Sequence, residues 1–84
     1  MIRAYEKGVR KERAVVNEAR AEGHIAFRSA GSHSPIDVCI VNTDRNIIYL
    51  IQCKPDNFPE SAKNRLYREF KKLNGQFQVW FLVR

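Results

Sequence analysis

Residues 36–54 read IDVCIVNTDRNIIYLIQCK, and this stretch decides the fold that we expect. Apolar side chains alternate with others along residues 36–41, which is typical of a strand with one buried face. Residues 42–46 are polar and turn-forming, and residues 47–54 are apolar on both faces until Gln52. The stretch therefore predicts a β-hairpin whose second strand lies in the centre of a sheet with helices on both sides.

Polar side chains stand at one end of this predicted hairpin. Asp37 interrupts the first strand near its start, and Gln52 and Lys54 share a face at the end of the second strand. In an antiparallel pair the beginning of one strand lies beside the end of the next, so these three groups should converge at one edge of the sheet. A carboxylate and an amide oxygen suit a hard divalent cation, and a lysine beside them can hold a water molecule. We therefore expect a metal site at this edge.

The chain before the hairpin predicts a helix over residues 3–22, which contain no proline and are followed by Gly23. Its apolar residues follow the three-to-four-residue spacing of one buried stripe, namely Tyr5, Val9, Val16 and Ala19. Glu12 falls in the middle of this stripe, where an unpaired carboxylate costs several kcal/mol. Two interpretations remain open: an ion pair with a residue such as Arg28, or an acid of the site at the boundary between helix and sheet.

The remaining segments complete one small domain, residues 1–84. A short strand is expected at residues 24–30, a second helix at residues 60–73 with a C-cap at Asn74-Gly75, and a last strand at residues 76–84. The order is helix, three strands, helix, strand. A strand, a crossover helix and another strand form a parallel unit, so the fold class is α/β with a mixed four-stranded sheet flanked by helices.

The net charge of +6 indicates an acidic partner, since fifteen Lys and Arg stand against nine Asp and Glu. Nucleic acid is the commonest partner of such an excess. The basic residues cluster near the start and in the second predicted helix: Arg3, Lys7, Arg10, Lys11 and Arg13, then Lys63, Arg65, Arg68, Lys71 and Lys72. Two solvated helix faces explain the charge equally well, so charge alone does not decide.

Length, hydropathy and cysteine content limit location and assembly. The sequence has no apolar run near the ~20 residues of a membrane span and no apolar stretch near its start, so we expect an intracellular, cytoplasmic protein. Cys39 and Cys53 match no zinc spacing and cannot form a disulfide framework, which leaves free buried thiols. A chain this short buries only about 60 to 65% of its unfolded surface, and Trp80 lies on a last strand at the sheet edge. We therefore expect a homodimer.

The motifs of the chain, taken in order, resemble those of a nuclease superfamily. They are KGxxxER at residues 7–13, Arg28, Gly31-Ser32, Pro35-Ile36-Asp37 and Gln52-Cys53-Lys54. This order resembles the PD-(D/E)xK nucleases, most of all the archaeal-type Holliday junction resolvases. The resemblance implies a restriction-endonuclease-like αβββαβ core and Mg²⁺-dependent hydrolysis of DNA phosphodiester bonds, with Mn²⁺ as a substitute. It also implies branched DNA, such as a four-way junction, as the substrate.

The resemblance assigns metal and catalytic roles to five positions. Asp37 matches the metal-bridging aspartate, Glu12 the helix glutamate that supports metal binding, and Lys54 the lysine that orients or activates the attacking water. The backbone carbonyl of Cys53 matches a further metal ligand. Gln52 stands where the motif has an acid; its amide oxygen can ligate Mg²⁺ but brings no charge. Glu12 would then supply the charge that Gln52 lacks.

The resemblance also assigns DNA contacts. Ser32 matches a serine near the scissile phosphate, with a catalytic role, and Arg28 a basic residue next to it. Lys7, Arg10 and Arg13 would neutralise neighbouring phosphates, a contribution that is sensitive to salt. Two alternatives stay open: a superfamily nuclease that acts on flaps, single strands or duplex, and an inactive relative that only binds DNA. Resolvases of this kind are longer, which favours a virus or another mobile element as the source.

Overall fold

A mixed four-stranded sheet and two helices form the fold in the computed structural model, which describes residues 4–29, 34–74 and 79–84. The elements are α1 (Ala4–Ala21), β1 (Ile25–Arg28), β2 (Val38–Asn42), β3 (Ile47–Gln52), α2 (Glu60–Phe70), a 3-10 turn (Lys71–Leu73) and β4 (Val79–Val83). The strand order is β1-β2-β3-β4; the first two pairs are antiparallel and β3 pairs with β4 in parallel. The expected element order and α/β class are confirmed.

The end of α1 follows the prediction at Gly23. Its φ is 91°, in the left-handed region that glycine adopts without a steric penalty. The His24 amide donates to the Ala19 carbonyl and the Gly23 amide to the Arg20 carbonyl, both at 3.0 Å. This pair of bonds is a Schellman motif, which satisfies carbonyls at the helix end and turns the chain into β1. Among the described residues, no helix is long and apolar enough to cross a membrane.

The hairpin turn begins one residue later than predicted, because Asn42 ends β2. Asn42 pairs with Ile47, and its Oδ1 accepts a hydrogen bond from the Arg45 amide at 3.1 Å. An asparagine side chain can thus start the turn while its backbone still belongs to the strand. Asn46, with a φ of 57°, closes the turn.

Strands are shorter than predicted at the ends that carry polar residues. β2 begins at Val38 rather than at residue 36, and β3 ends at Gln52 rather than at residue 54. Pro55 restricts the backbone of the residue before it, which helps to end the strand. The Lys54 backbone is nevertheless hydrogen-bonded to the residue that follows β4, since its amide donates to the Arg84 carbonyl at 2.8 Å. The predicted residues 75–78 of the C-cap and last strand lie outside the described part.

The core lies between α1 and one face of the sheet, which we call the α1 face. It consists of Val16, Ala19, Ala26, Val38 and Ile51, each at most 4% exposed. On the opposite α2 face, Phe81 packs against the rings of Tyr67 and Phe70.

Each helix covers only part of the sheet. Among the described elements, the backbone of α1 approaches β1 and β2 most closely, and that of α2 approaches β4. Side chains of α1 also reach β3, since Val16 and Ala19 share the core with Ile51. On the α2 face Ile48 in β3 is 36% exposed, so the predicted cover of the central strand by helices on both sides is incomplete at this residue.

Candidate active site

Asp37 is held at the open end of the β2–β3 hairpin by both its backbone and its side chain. Its amide donates to the Ile51 carbonyl at 2.8 Å, and its carbonyl accepts from the Ser29 amide at 3.0 Å. Its Oδ2 accepts a hydrogen bond from the Cys53 amide at 2.8 Å. The register that pairs Val38 with Ile51, carried one residue further, sets Asp37 opposite Gln52. The structure thus brings together Asp37, Gln52 and Cys53, three of the predicted metal-site residues.

Gln52 presents a buried amide oxygen at this place. Its Oε1 has no hydrogen-bond partner within the described part of the chain, although it is shielded from solvent. A buried acceptor left unpaired costs about 1 to 3 kcal/mol. A cation bound at this oxygen would remove that cost, so the residues present fit a hard metal ion.

Glu12 makes an ion pair with Arg28. The Arg28 Nε donates to Glu12 Oε1 at 3.1 Å, and the two side chains are 32% and 19% exposed, respectively. Of the two interpretations of Glu12, the ion pair is the one that the structure shows. The pair compensates the charge of Glu12 and engages its Oε1, so direct ligation of a metal would have to use Oε2 or break the pair.

The pKa of the Cys53 thiol depends on its burial and on the charged groups around the site. Burial, followed by the carboxylates of Asp37 and Glu12, raises its pKa from 9.0 to about 11. The cations of Lys11 and Arg84 act in the opposite direction. Both predicted acids therefore act on the same thiol from nearby. The thiol stays protonated at neutral pH, which leaves the Cys53 backbone carbonyl as the predicted ligand.

The ammonium group of Lys54 contacts the Phe58 ring rather than forming an ion pair with Asp37. Its Nζ lies 5.5 Å from the centroid of the Phe58 ring, and among the described residues it forms no ion pair with a carboxylate. Its carbonyl accepts a hydrogen bond from Lys11 Nζ. The structure therefore places the Lys54 backbone beside the site but does not bring its ammonium group to Asp37 or Gln52.

A cleft of ≈ 170 Å³ next to Lys54 gathers cations from four parts of the chain, and we call it the basic cleft. Its charged lining residues are Lys11, Lys54, Asp56, Glu60, Lys63 and Arg84. Lys11 Nζ lies 3.0 Å from Asp56 Oδ1, so one of the cations is paired. The basic cleft suits an anion such as a phosphate group, because its cations outnumber its acids.

Sequence reasoning did not single out Lys11, Lys63 or Arg84 as site residues. Arg84 is brought to the site by the parallel pairing of β3 with β4, which sets Val83, the residue before it, beside Gln52. That register is not readable from the sequence. Lys11 directly precedes Glu12 in the predicted helix, which was the available signal for it.

The other predicted DNA contacts are only partly located. Arg10 and Arg13 lie exposed on α1, without an ion pair among the described residues. Lys7 belongs to α1, but its side chain is outside the described part, and so is the whole of Ser32. Of the predicted DNA contacts on α1, the structure therefore locates two exposed cations, Arg10 and Arg13.

The predicted metal ligands do not form a cluster of acidic, histidine or cysteine side chains. The described residues contain no group of three or more His, Cys, Asp or Glu able to hold a metal ion, so Glu12 and Cys53 do not join Asp37 in such a group. The structure sets Gln52 opposite Asp37 and the Cys53 backbone against its carboxylate, so the donors at this place are one carboxylate, an amide oxygen and a backbone carbonyl. Oxygen donors of this mixed kind suit Mg²⁺ or Ca²⁺ rather than zinc.

No family model, curated protein or solved structure matches this chain. The resemblance to PD-(D/E)xK nucleases therefore depends on the motifs and on the geometry described above.

Proposed function

We propose that this chain is a metal-dependent DNA endonuclease with a restriction-endonuclease-like αβββαβ core, acting on branched DNA such as a Holliday junction. The order helix, three strands, helix, strand supports the core. The observation that carries the proposal is the partnerless Oε1 of Gln52, among the described residues, opposite the fixed carboxylate of Asp37. Asp37 is the acid that the motif requires at the end of a hairpin, and Gln52 stands where the motif has its second acid.

Asp37, Gln52 and the Cys53 carbonyl would hold Mg²⁺ or Mn²⁺, with Glu12 in support. Such an ion supplies a lowered pKa for a bound water and charge stabilisation for the phosphoryl oxygens. Asp37 is prepared for this role because the Cys53 amide fixes its Oδ2 at 2.8 Å, which orients the carboxylate before any ligand arrives.

Lys54 would hold the attacking water by a hydrogen bond from its ammonium group. This requires the side chain to swing from the Phe58 ring, where a cation–π contact near a protein surface is worth about 0.5 to 1 kcal/mol. That energy is small compared with a charge-assisted hydrogen bond in the site, at about 1.5 to 3 kcal/mol. The observed rotamer is therefore compatible with the role.

The basic cleft would bind a backbone phosphate next to the cleaved bond. Lys11, Lys63 and Arg84 converge there beside Lys54, and Arg10 and Arg13 extend the positive surface along α1. Contacts of this kind position the DNA and carry no sequence information. They suit an enzyme that recognises the shape of its substrate.

A second candidate is a DNA-binding module without hydrolysis. It is favoured by two observations: Arg28 already compensates Glu12, and the Lys54 ammonium group contacts Phe58 instead of the site. The first would leave the metal with less negative charge than in a site with two free acids, and the second would leave the attacking water without its lysine.

Cleavage by an Asp37→Asn variant separates the two candidates. We expect wild type to cut a synthetic four-way junction with Mg²⁺ or Mn²⁺, and the variant to retain DNA binding but lose cleavage. Asp44→Asn is the matched control, since Asp44 is exposed in the turn at the other end of the hairpin. DNA binding by wild type without cleavage in either metal would contradict the enzyme and support the binding module.

The substrate is tested by comparing the four-way junction with linear duplex of the same sequence. A resolvase-like nuclease should cut the junction faster and at paired positions. Faster cleavage of the linear duplex would contradict the junction assignment while leaving the nuclease in place.

A further inference from the structure

The two residues that follow β3 are held by three hydrogen bonds from distant parts of the chain. β3 ends before Cys53 and Lys54, so neither belongs to its ladder. The Cys53 amide donates to Asp37 Oδ2 at 2.8 Å. The Lys54 amide donates to the Arg84 carbonyl, also at 2.8 Å. The Lys54 carbonyl accepts the third bond, from Lys11 Nζ, so a side chain of α1 anchors the far end of this segment.

The bond from Lys11 fixes a peptide group that has few other ways to be held. Pro55 follows Lys54 and has no N–H group, so the peptide between them can be hydrogen-bonded only through the Lys54 carbonyl. Among the described residues, Lys11 is the donor to this carbonyl. Because a peptide group is planar, a bond to its carbonyl restricts the whole group. Without Lys11, this peptide would lose its anchor at the end of the proposed site.

The ammonium group of Lys11 can bind an anion while it holds the Lys54 carbonyl. It has three donors, of which two are used, one on that carbonyl and one on Asp56 Oδ1 at 3.0 Å. The Lys11 side chain is 29% exposed and lines the basic cleft, so it is accessible there. The Asp56 carboxylate is fully exposed, and an ion pair with such a group holds weakly against a competing anion.

We propose that Lys11 is a positioning residue that links a DNA phosphate in the basic cleft to the backbone of the site at Lys54. This inference rests on the proposed function, since the phosphate belongs to the DNA that would be cleaved. The ammonium group would bind the phosphate with its remaining donor, or with the donor that Asp56 gives up, and would keep the Lys54 carbonyl. Bound DNA would thereby tighten the segment that carries the Cys53 carbonyl and the Lys54 side chain.

The charge of Lys11 also acts at the site. Burial and the carboxylates of Asp37 and Glu12 raise the pKa of the Cys53 thiol, and the Lys11 cation opposes them. The loss of Lys11 would therefore change both the geometry and the electrostatics of the same segment.

Amide hydrogen exchange in protein free of DNA and metal tests the anchoring. Lys11→Met removes the donors but keeps the apolar stem of a good helix former, and far-UV circular dichroism checks that it folds. We expect the Cys53 and Lys54 amides to exchange at least several-fold faster in Lys11→Met, and near the wild-type rate in Lys11→Arg, which keeps the donors. Unchanged exchange in Lys11→Met would overturn the proposal.

Lys63→Met is the matched control for this exchange experiment. Lys63 lines the same basic cleft from α2, so the variant removes the same charge from the same place. Within the described part of the chain its side chain makes no hydrogen bond to Cys53 or Lys54. Exchange at these two amides should therefore stay near the wild-type rate. Equal acceleration in Lys63→Met and Lys11→Met would show a general effect of charge and overturn the anchoring.

Steady-state cleavage of the four-way junction tests the link to the phosphate. Lys11→Met and Lys63→Met should both raise KM, since each removes a phosphate contact. Only Lys11→Met should also lower kcat, by about 10-fold, because small displacements of reacting groups are costly, and Lys11→Arg should restore most of it. A raised KM with normal kcat in Lys11→Met would overturn the positioning role. A lowered kcat with an unchanged KM would overturn the link to the phosphate.

The two experiments separate this inference from the nuclease proposal. Faster exchange in Lys11→Met, with a wild type that cleaves no DNA, would contradict the nuclease and its coupling to Lys11 but leave the anchoring of Lys54 in place. Normal exchange and normal kcat in Lys11→Met, with an active wild type, would contradict the role of Lys11 alone.

Discussion

At the scale of single residues, Glu12 has two possible functions that one pair of substitutions separates. It pairs with Arg28 at 3.1 Å and also acts on the Cys53 thiol beside Asp37. We expect Glu12→Gln to lower the free energy of unfolding by about 1 kcal/mol, since the pair is partly exposed. We also expect it to raise the Mg²⁺ concentration for half-maximal cleavage about 10-fold, as for other residues that support a metal ligand.

The Glu12→Gln/Arg28→Gln double variant is the control. It removes both charges, so it should regain most of the lost stability but not the Mg²⁺ affinity. The Mg²⁺ midpoint is the appropriate measurement because it does not depend on any phosphate contact that Arg28 makes. Normal Mg²⁺ dependence in both variants would mean that Glu12 serves only the ion pair.

Cys53 gives a prediction that depends on pH. Burial, Asp37 and Glu12 raise its pKa to about 11. At pH 8 its alkylation by iodoacetamide should therefore be about 100-fold slower in the folded protein than in the unfolded one, where the pKa is ordinary. Peptide mapping after timed alkylation measures this ratio. Equal rates in the two states would show that the thiol is not shielded by the site.

The same shift has a consequence for stability. The folded state favours the neutral thiol, so its contribution to the free energy of unfolding is fully present below the unfolded pKa of 9.0. That contribution is lost as the pH rises toward about 11. Cys53→Ala should flatten the decline of stability over this alkaline range, as followed by urea unfolding.

At the scale of elements, the two described glycines around α1 should respond oppositely to alanine. Gly23 has a φ of 91°, which an alanine adopts only with strain, so Gly23→Ala should cost about 1 kcal/mol. Gly8 lies within α1, and a Cβ there would meet nothing within 4 Å. Gly8→Ala should therefore stabilise the protein by roughly 0.5 to 1 kcal/mol. Thermal unfolding of both variants measures the difference, and a stabilising Gly23→Ala would contradict the Schellman motif.

The elements also show what a sequence of this kind makes predictable. Alternation along the hairpin is enough to place Asp37 opposite the end of β3, because a period of two and an antiparallel turn determine both the face and the edge. The direction of Lys54 was not predictable, since four rotatable bonds let its ammonium group reach Phe58 as easily as the site. The exposure of Ile48 on the α2 face was also missed. Apolar residues on both faces of β3 indicate burial, but they do not say whether a helix or a second chain provides it.

At the scale of the whole molecule, part of the net charge of +6 is concentrated on one surface. The cations of Lys11, Lys54, Lys63 and Arg84 meet at the basic cleft, next to the open end of the hairpin.

Lys63 tests whether the basic cleft lies on the DNA path. Each phosphate contact releases counterions, so its loss should reduce the slope of log affinity against log salt by about 0.9 on duplex arms. We expect this reduction, with weaker junction binding, for Lys63→Ala. Arg65→Ala is the matched control, since it removes the same charge from the same helix. Arg65 is exposed and does not line the basic cleft. Fluorescence anisotropy in Ca²⁺ over a salt series, without cleavage, compares the two. Equal salt slopes in the two variants would mean that only the general charge of α2 contributes to DNA binding. A smaller salt slope for Lys63→Ala alone would place a phosphate in the basic cleft beside Lys54.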